Sequence, residues 1–215
     1  GSDKLTLGDF VNTGSVSNVE TLVGGSAADT ITFATQLSNA SVNLGDGVDK
    51  VTLGDFANSA NISNVESIVG GSDADTITIS TQLSNGVIDL GAGSDQLTLG
   101  NFNSTGTISN VETLIGGNSS DNITLGTALA ATDSINLGGG SDVLTLANVA
   151  NTGTLSNVET IVGGSAADVI TIATQATKAL YNLGAGSDSL TLGGFVNSAT
   201  VSGAETLVGG SLADT

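Results

Sequence analysis

The sequence repeats itself along its length. Gly24-Gly25 returns as Gly70-Gly71, Gly116-Gly117, Gly163-Gly164 and Gly209-Gly210, at steps of 46, 46, 47 and 46 residues, and after three intervening residues each pair is followed by an aspartate. A period of this size marks supersecondary units that bury their apolar faces against their neighbours, and it decides the class of fold before any local pattern is considered. The other columns keep step. The block Ser17–Glu20 returns at Ser63–Glu66, Ser109–Glu112 and Ser156–Glu159. Gly45-x-Gly47-x-Asp49 returns as Gly91/Gly93/Asp95, Gly138/Gly140/Asp142 and Gly184/Gly186/Asp188. The repeats run 3–48, 49–94, 95–141, 142–187 and, in part, 188–215, so a single continuous domain over 1–215 is expected.

Each repeat contains the phrase Asp-x-Φ-Thr-Φ twice, at Asp29–Phe33 and Asp49–Leu53 in the first copy. Its period-two alternation predicts a strand. The phrase starts at Asp3, Asp29, Asp49, Asp75, Asp95, Asp121, Asp142, Asp168 and Asp188, with steps of 26 alternating with 20 or 21. A second apolar segment, Val19–Val23 or Ser41–Leu44, precedes the next glycine turn. With two strands per coil, this predicts an all-β, right-handed parallel β-solenoid of the β-roll kind. It would have about nine coils, long and short in turn, two per 46-residue repeat. Stacked at ~4.8 Å, the coils would form a body roughly 43 Å long. A helix fails, because the apolar residues do not recur at i, i+3 and i+4 and each interior glycine would cost about 1 kcal/mol. The one-residue insertion of the third repeat, between Gly126 and Ser134, is expected in a turn.

Composition removes several classes of function. The formal charge is −18 and the basic residues are Lys4, Lys50 and Lys178, so the chain cannot hold a phosphate backbone or an anionic membrane. No apolar run is long enough to span a bilayer. Without His, Cys, Met, Trp, Pro or Arg, it offers oxygen ligands alone, and cations are its natural partners. Catalysis is not expected, because carboxylates recur in every coil instead of converging on one cleft, and no Arg, His or Trp is available to orient a substrate. Hydrophobic residues reach 39% while aromatics reach 3%, so narrow layers of Val, Ile, Leu and Ala must fill the interior.

The stretch Leu44-Gly45-Asp46-Gly47-Val48-Asp49-Lys50-Val51-Thr52 resembles the RTX calcium-binding repeat, G-G-x-G-x-D-x-U-x, with Leu44 in place of the first glycine. Gly24-Gly25-Ser26-Ala27-Ala28-Asp29 keeps both leading glycines but has Ala27 at the fourth position, where later copies place Asp73, Ser119, Ala166 and Leu212. The resemblance implies a parallel β-roll with calcium in its turns, and Asp29, Asp49, Asp75, Asp95, Asp121, Asp142, Asp168 and Asp188 as metal ligands. It also implies export by a type I system. Here the motif occurs once per coil, so at most one row of ions follows. A column of aspartates ~4.8 Å apart would repel by about 1 kcal/mol per neighbour in water and about 3.5 kcal/mol at an effective dielectric of 20, which a bound cation would offset. The other reading open at this stage is that each aspartate caps its own turn through backbone N–H groups, faces water and needs no metal.

Four further columns have structural readings. Thr6, Thr32, Thr52, Thr78, Thr98, Thr124, Thr145, Thr171 and Thr191 read as an outward ladder of good strand formers. Glu20, Glu66, Glu112, Glu159 and Glu205 read as a solvated face, and Asn18, Asn64, Asn110 and Asn157 as an amide ladder or turn residues. Phe10, Phe56, Phe102 and Phe195 read as corner wedges. The whole points to a structural repeat segment of a secreted bacterial surface protein, an adhesin stalk or surface-layer component, located extracellularly or at the cell surface and ordered by calcium. Two alternatives remain. One is a filament built by end-to-end self-association, since the chain starts and stops inside turns. The other is an ice- or glycan-binding module on the side face. Surface glycan and neighbouring surface-layer subunits are the expected partners.

Overall fold

The computed structural model describes all residues from Gly1 to Thr215, in two compact units, Gly1–Val111 and Glu112–Thr215. The first holds β1 (Lys4–Thr6), β2 (Thr13–Val16), β3 (Thr21–Gly25), β4 (Thr30–Phe33), β5 (Ala40–Gly45), β6 (Lys50–Thr52), β7 (Ser59–Ser63), β8 (Ser67–Gly71), β9 (Thr76–Ile79), β10 (Gly86–Gly91), β11 (Gln96–Thr98) and β12 (Thr105–Ser109). The second holds β13 (Thr113–Ile115), β14 (Asn122–Leu125), β15 (Ser134–Asn136), β16 (Val143–Thr145), β17 (Thr152–Ser156), β18 (Thr160–Gly164), β19 (Val169–Ile172), β20 (Thr177–Gly184), β21 (Ser189–Leu192), β22 (Ser198–Ser202) and β23 (Thr206–Val208). In each unit the odd strands pair in order in one parallel sheet and the even strands in another, as expected of a parallel β-solenoid. There is no helix, hence none long and apolar enough to cross a membrane.

Every phrase Asp-x-Φ-Thr-Φ forms a strand, yet the coils are divided differently from the sequence expectation. In the first unit Thr21 pairs with Ser41, Ser41 with Asn61 and Ser59 with Thr76, so two coils of 20 residues are followed by one of 17. Coils of 26 residues do not occur because each repeat contains a fifth strand. This is β7, β12, β17 or β22, for example Ser59-Ala60-Asn61-Ile62-Ser63. It has one large inward residue, Ile62, beside a small one, Ala60, which is a weak apolar signal but sufficient inside a stack. Five strands make two and a half coils. The repeat β3–β7 therefore begins on the odd sheet and β8–β12 on the even sheet, and β13–β17 and β18–β22 do the same in the second unit.

Inward positions form apolar columns. Leu22, Val42, Ile62 and Ile79 line one sheet of the first unit, and Ile31, Val51, Ile68, Ile88 and Ile108 the other, all nearly solvent-free. Burying each contributes about 1.5–3 kcal/mol. In the second unit Tyr181 takes such a position and its hydroxyl donates to the Val158 carbonyl at 3.1 Å. Burial, with the Glu159 charge adding to it, pushes the phenol up to about 12. The insertion lies in the turn between β14 and β15, where Asp133 Oδ2 accepts the Ala130 N–H at 2.7 Å and the Asp133 N–H returns to the Ala130 carbonyl at 2.9 Å.

Candidate metal sites at the turn edges

The half-coil offset between repeats splits the aspartate column. In the first unit Asp29 and Asp49 stand in turns leading from the odd to the even sheet, and Asp75 and Asp95 in turns leading back. In the second unit Asp121 and Asp142 take the first edge and Asp168 and Asp188 the second. The one row of aspartates expected from the sequence is thus replaced by pairs on alternate edges. An aspartate shares the parity of the core residue two positions on, so all eight point inward, with exposures of 0–1%.

Each carboxylate bonds the neighbouring coil. Asn12 donates its backbone N–H (2.8 Å) and its side-chain amide (2.9 Å) to Asp29 Oδ1, Asp29 N–H donates to Asp49 Oδ1 at 2.6 Å, and Asp49 N–H donates to Glu66 Oε2 at 2.8 Å. On the opposite edge the ladder begins with Leu37 N–H on Asn58 Oδ1 (3.0 Å), continues from Asn58 N–H to Asp75 Oδ1 (2.9 Å), and then from Asp75 N–H to Asp95 Oδ1 (2.7 Å). The second unit repeats it through Leu129, Asn151, Asp168, Asp188 and Glu205. Asp121 N–H reaches Asp142 Oδ1 and Asp142 N–H reaches Glu159 Oε2. A turn amide buried under the next coil must find an acceptor, and a carboxylate there supplies a charge-assisted one. The aspartates do not face water, and the amides named above that they accept belong to the neighbouring coil. The glutamates are not a solvated face either, since Glu20, Glu66, Glu159 and Glu205 each accept an aspartate N–H and so end a ladder.

In six of the eight aspartates one oxygen is spent and the other is not. Oδ2 of Asp29, Asp49, Asp75, Asp142, Asp168 and Asp188 is buried and receives no hydrogen bond. Burial pushes Asp142 up to about 6, against the Asp121 amide and helped by the Glu159 and Asp121 charges. It also raises Asp49, where Glu66, Asp29 and Asp46 add to it, and Asp75, where the Asn58 backbone and side chain and the Gly71 amide act the other way. At the last turn Asp214 holds the same ladder position on Asn197, but it is exposed, its Oδ2 accepts the Gly210 N–H at 3.0 Å, and its hydrogen bonds lower it.

The two turns of a pair differ in backbone. Gly45 and Gly47 have φ of +92° and +143°, and a Cβ on Gly45 would collide with the Gly25 carbonyl oxygen of the coil below. None of Ala27, Asp73, Ser119, Ala166 and Leu212 has a positive φ, so the turns that depart from the glycine motif take another path.

The remaining columns also resolve. Asn18, Asn64, Asn110 and Asn157 are left-handed turn residues, with φ of 51–53°. Asn64 and Asn157 donate their side-chain amides to Asn43 and Asn136, and Asn110 to Asp89, which makes pairs and not a ladder. Phe10, Phe56, Phe102 and Phe195 are 40–77% exposed at turn tips. They are not corner wedges, because a small polar residue, Asn12, Asn58, Ser104 or Asn197, fills the corner beneath. Asn58 bonds the Gly54 and Phe56 carbonyls, and Phe56 lies outside against its own turn.

The donor set suits a hard cation, being all oxygen with buried carboxylate atoms left unpaired. Nowhere do three or more acidic side chains gather into a metal-holding group, so each pair supplies two carboxylate oxygens and turn carbonyls would complete the shell. No family model and no curated protein matches the sequence. Among solved structures the chain is similar to the X-ray crystal structure of a hyperactive, Ca2+-dependent, β-helical antifreeze protein from an Antarctic bacterium. The two are 19% identical, with 97% of this chain and 69% of that chain covered and a TM-score of 0.33, too low a likeness to bear on function.

Proposed function

We propose that the chain is a structural repeat segment of a secreted bacterial surface protein, an adhesin stalk or surface-layer component, ordered by calcium at its turn edges. The observation that carries this reading is the recurring pair of stacked, buried aspartates whose Oδ2 atoms have no partner. Leaving a buried acceptor unpaired costs about 1–3 kcal/mol, and more when it is charged. Asp29 with Asp49 and Asp168 with Asp188 would hold the ion through those oxygens, and Asp75, Asp95, Asp121 and Asp142 complete the set. A bound calcium supplies positive charge that neutralises two carboxylates at once and joins consecutive coils. The protein's own contribution is the ladder, which fixes Oδ1 of Asp29, Asp49, Asp168 and Asp188 on a neighbouring amide and so holds Oδ2 in place before any ion arrives.

Such a segment would be a passive spacer in calcium-poor cytoplasm and stiffen outside the cell. Thermal melts in calcium and in excess chelator, with calorimetric titration of the metal-free chain, test the reading. Saturation with a clear rise in Tm is expected, about 2.7 kcal/mol of added stability at 100 times the dissociation constant. Equal melting with and without chelator would sink it.

A further inference from the structure

Charge is distributed unevenly between turns and strands. Of the 21 acidic residues only Asp89 lies on a strand, whereas Lys4, Lys50 and Lys178 all do. The outward faces of the sheets are consequently almost free of negative charge in a chain of −18, and are made of Thr, Ser, Asn and Val. On the odd sheet of the first unit, register pairs Ser59 with Thr76 and Asn61 with Thr78. Outward neighbours stand roughly 6.6 Å apart along a strand and ~4.8 Å between strands, so these four side chains form a two-by-two polar grid. Together with Asn39, and with the small Ala40 and Ala60 at its floor, the grid lines a shallow trough of about 210 Å³.

These groups are unspent. Ser59 donates to Asn39 Oδ1 at 3.3 Å, but the Asn61 amide and the Thr76 and Thr78 hydroxyls have no partner within the chain. Elsewhere the turn asparagines and threonines are engaged. Asn58 makes bonds to its own turn and to Asp75, and Thr35, Thr81, Thr105 and Thr174 accept backbone N–H groups. In the second unit the corresponding grid, Thr152 and Thr154 beside Val169 and Thr171, is interrupted by a valine.

We propose that the Asn39–Ser59–Asn61–Thr76–Thr78 trough binds a neutral sugar ring of a surface glycan. The volume lies below the ~300–1,000 Å³ of pockets for drug-sized ligands and leaves room for one ring. Amides and hydroxyls, each both donor and acceptor, match the hydroxyls of a neutral sugar, and with no basic residue in the lining nothing compensates an anionic one. A second copy of the chain is disfavoured as occupant by the acidic turns that flank the face on both molecules.

The test is an NMR titration of the isotopically labelled chain in calcium-containing buffer, where it is folded whichever way the calcium experiment falls. The probes are neutral glucose- and galactose-based oligosaccharides and their uronic-acid counterparts. Saturable shifts centred on Asn61 and Thr78 are expected with the neutral sugars. Asn61→Ala and Thr78→Val should each weaken binding about 5-fold, the effect of one neutral hydrogen bond, with Tm unchanged. Absence of saturable binding, equal affinity in both variants, preference for the uronic acids, or shifts at this face that depend on protein concentration or appear only on freezing would each overturn the proposal.

Discussion

The turn edges and the flat faces of each unit do different work with similar small polar residues. At an edge, Asn58, Asp75 and Asp95 are buried and tied coil to coil by backbone amides, so each coil depends on the next for its acceptors. On a face, the Thr76 and Thr78 side chains point to water and their hydroxyls bond nothing in the chain. Stability and specificity of stacking therefore belong to the edges, while the faces are free to vary or to bind.

The largest effect expected from breaking this difference is Gly45→Ala. The substitution forces a side chain into φ of +92° and against the Gly25 carbonyl, so two coils must separate. A loss of more than about 4 kcal/mol, or failure to fold, is expected by denaturant unfolding. A variant within about 1 kcal/mol of the parent would show that the turn can slide. Next comes Asp168→Ala, which strands the backbone N–H of buried Asn151, bonded at 2.9 Å, while the Asn151 side-chain amide keeps the Ala147 and Val149 carbonyls. One unsatisfied buried donor costs about 1–3 kcal/mol. Asp168→Asn should recover most of this, because Asn58, Asn151 and Asn197 already occupy the same ladder.

The strands of the repeat were legible in the sequence and the path of the chain was not. Asp-x-Φ-Thr-Φ carries two large inward residues and declares itself, as at Ile31 and Phe33. Ser59–Ser63 offers only Ile62, and its strand forms because β5 and β9 flank it. That one unrecognised strand changed an even count to an odd one and moved alternate aspartates to the other edge. The eight aspartates stand out in the sequence by the glycines before them, and in the structure all eight are buried. Their inward direction was also available, since Asp49 and Val51 share parity, but a motif associated with calcium draws attention to turns. The partnership with Glu66 and Asn12 lies 17 residues away in each direction, and only the coil length reveals it.

A smaller effect should follow pH in metal-free solution. Asp142 stands at about 6 in the folded chain against an ordinary aspartate value of 3.8, so its folded form holds the proton more tightly. The stability it contributes is complete below about pH 3.8 and is lost as pH rises through about 6, and the raised Asp49 and Asp75 act in the same sense. Melting temperature in chelator should thus fall from about pH 4 to about pH 7, opposite to the usual acid denaturation of an acidic protein. Asp142→Asn should flatten part of that slope while keeping an acceptor for the Asp121 amide. Calcium should flatten the slope as well, because it neutralises the same oxygens. A melting temperature that rises steadily over this range would show that the buried pairs fold ionised.

The faces supply the smallest prediction. Thr171 lies on the odd sheet of the second unit between Thr154 and Thr191, and its hydroxyl has no partner there. Thr171→Val exchanges a hydroxyl for a methyl of nearly equal shape on a half-exposed β-branched residue. Strand preference is kept and no buried donor or acceptor is created. The change in unfolding free energy should stay within about 0.5 kcal/mol by denaturant titration, in calcium and in chelator alike. Two unit charges ~4.8 Å apart interact by only about 1 kcal/mol in water, so even Thr171→Asp should cost little beside the loss at Asp168. A face substitution as costly as Asp168→Ala would mean that the hydroxyl columns bind the coils together, and that edge and face are not distinct after all.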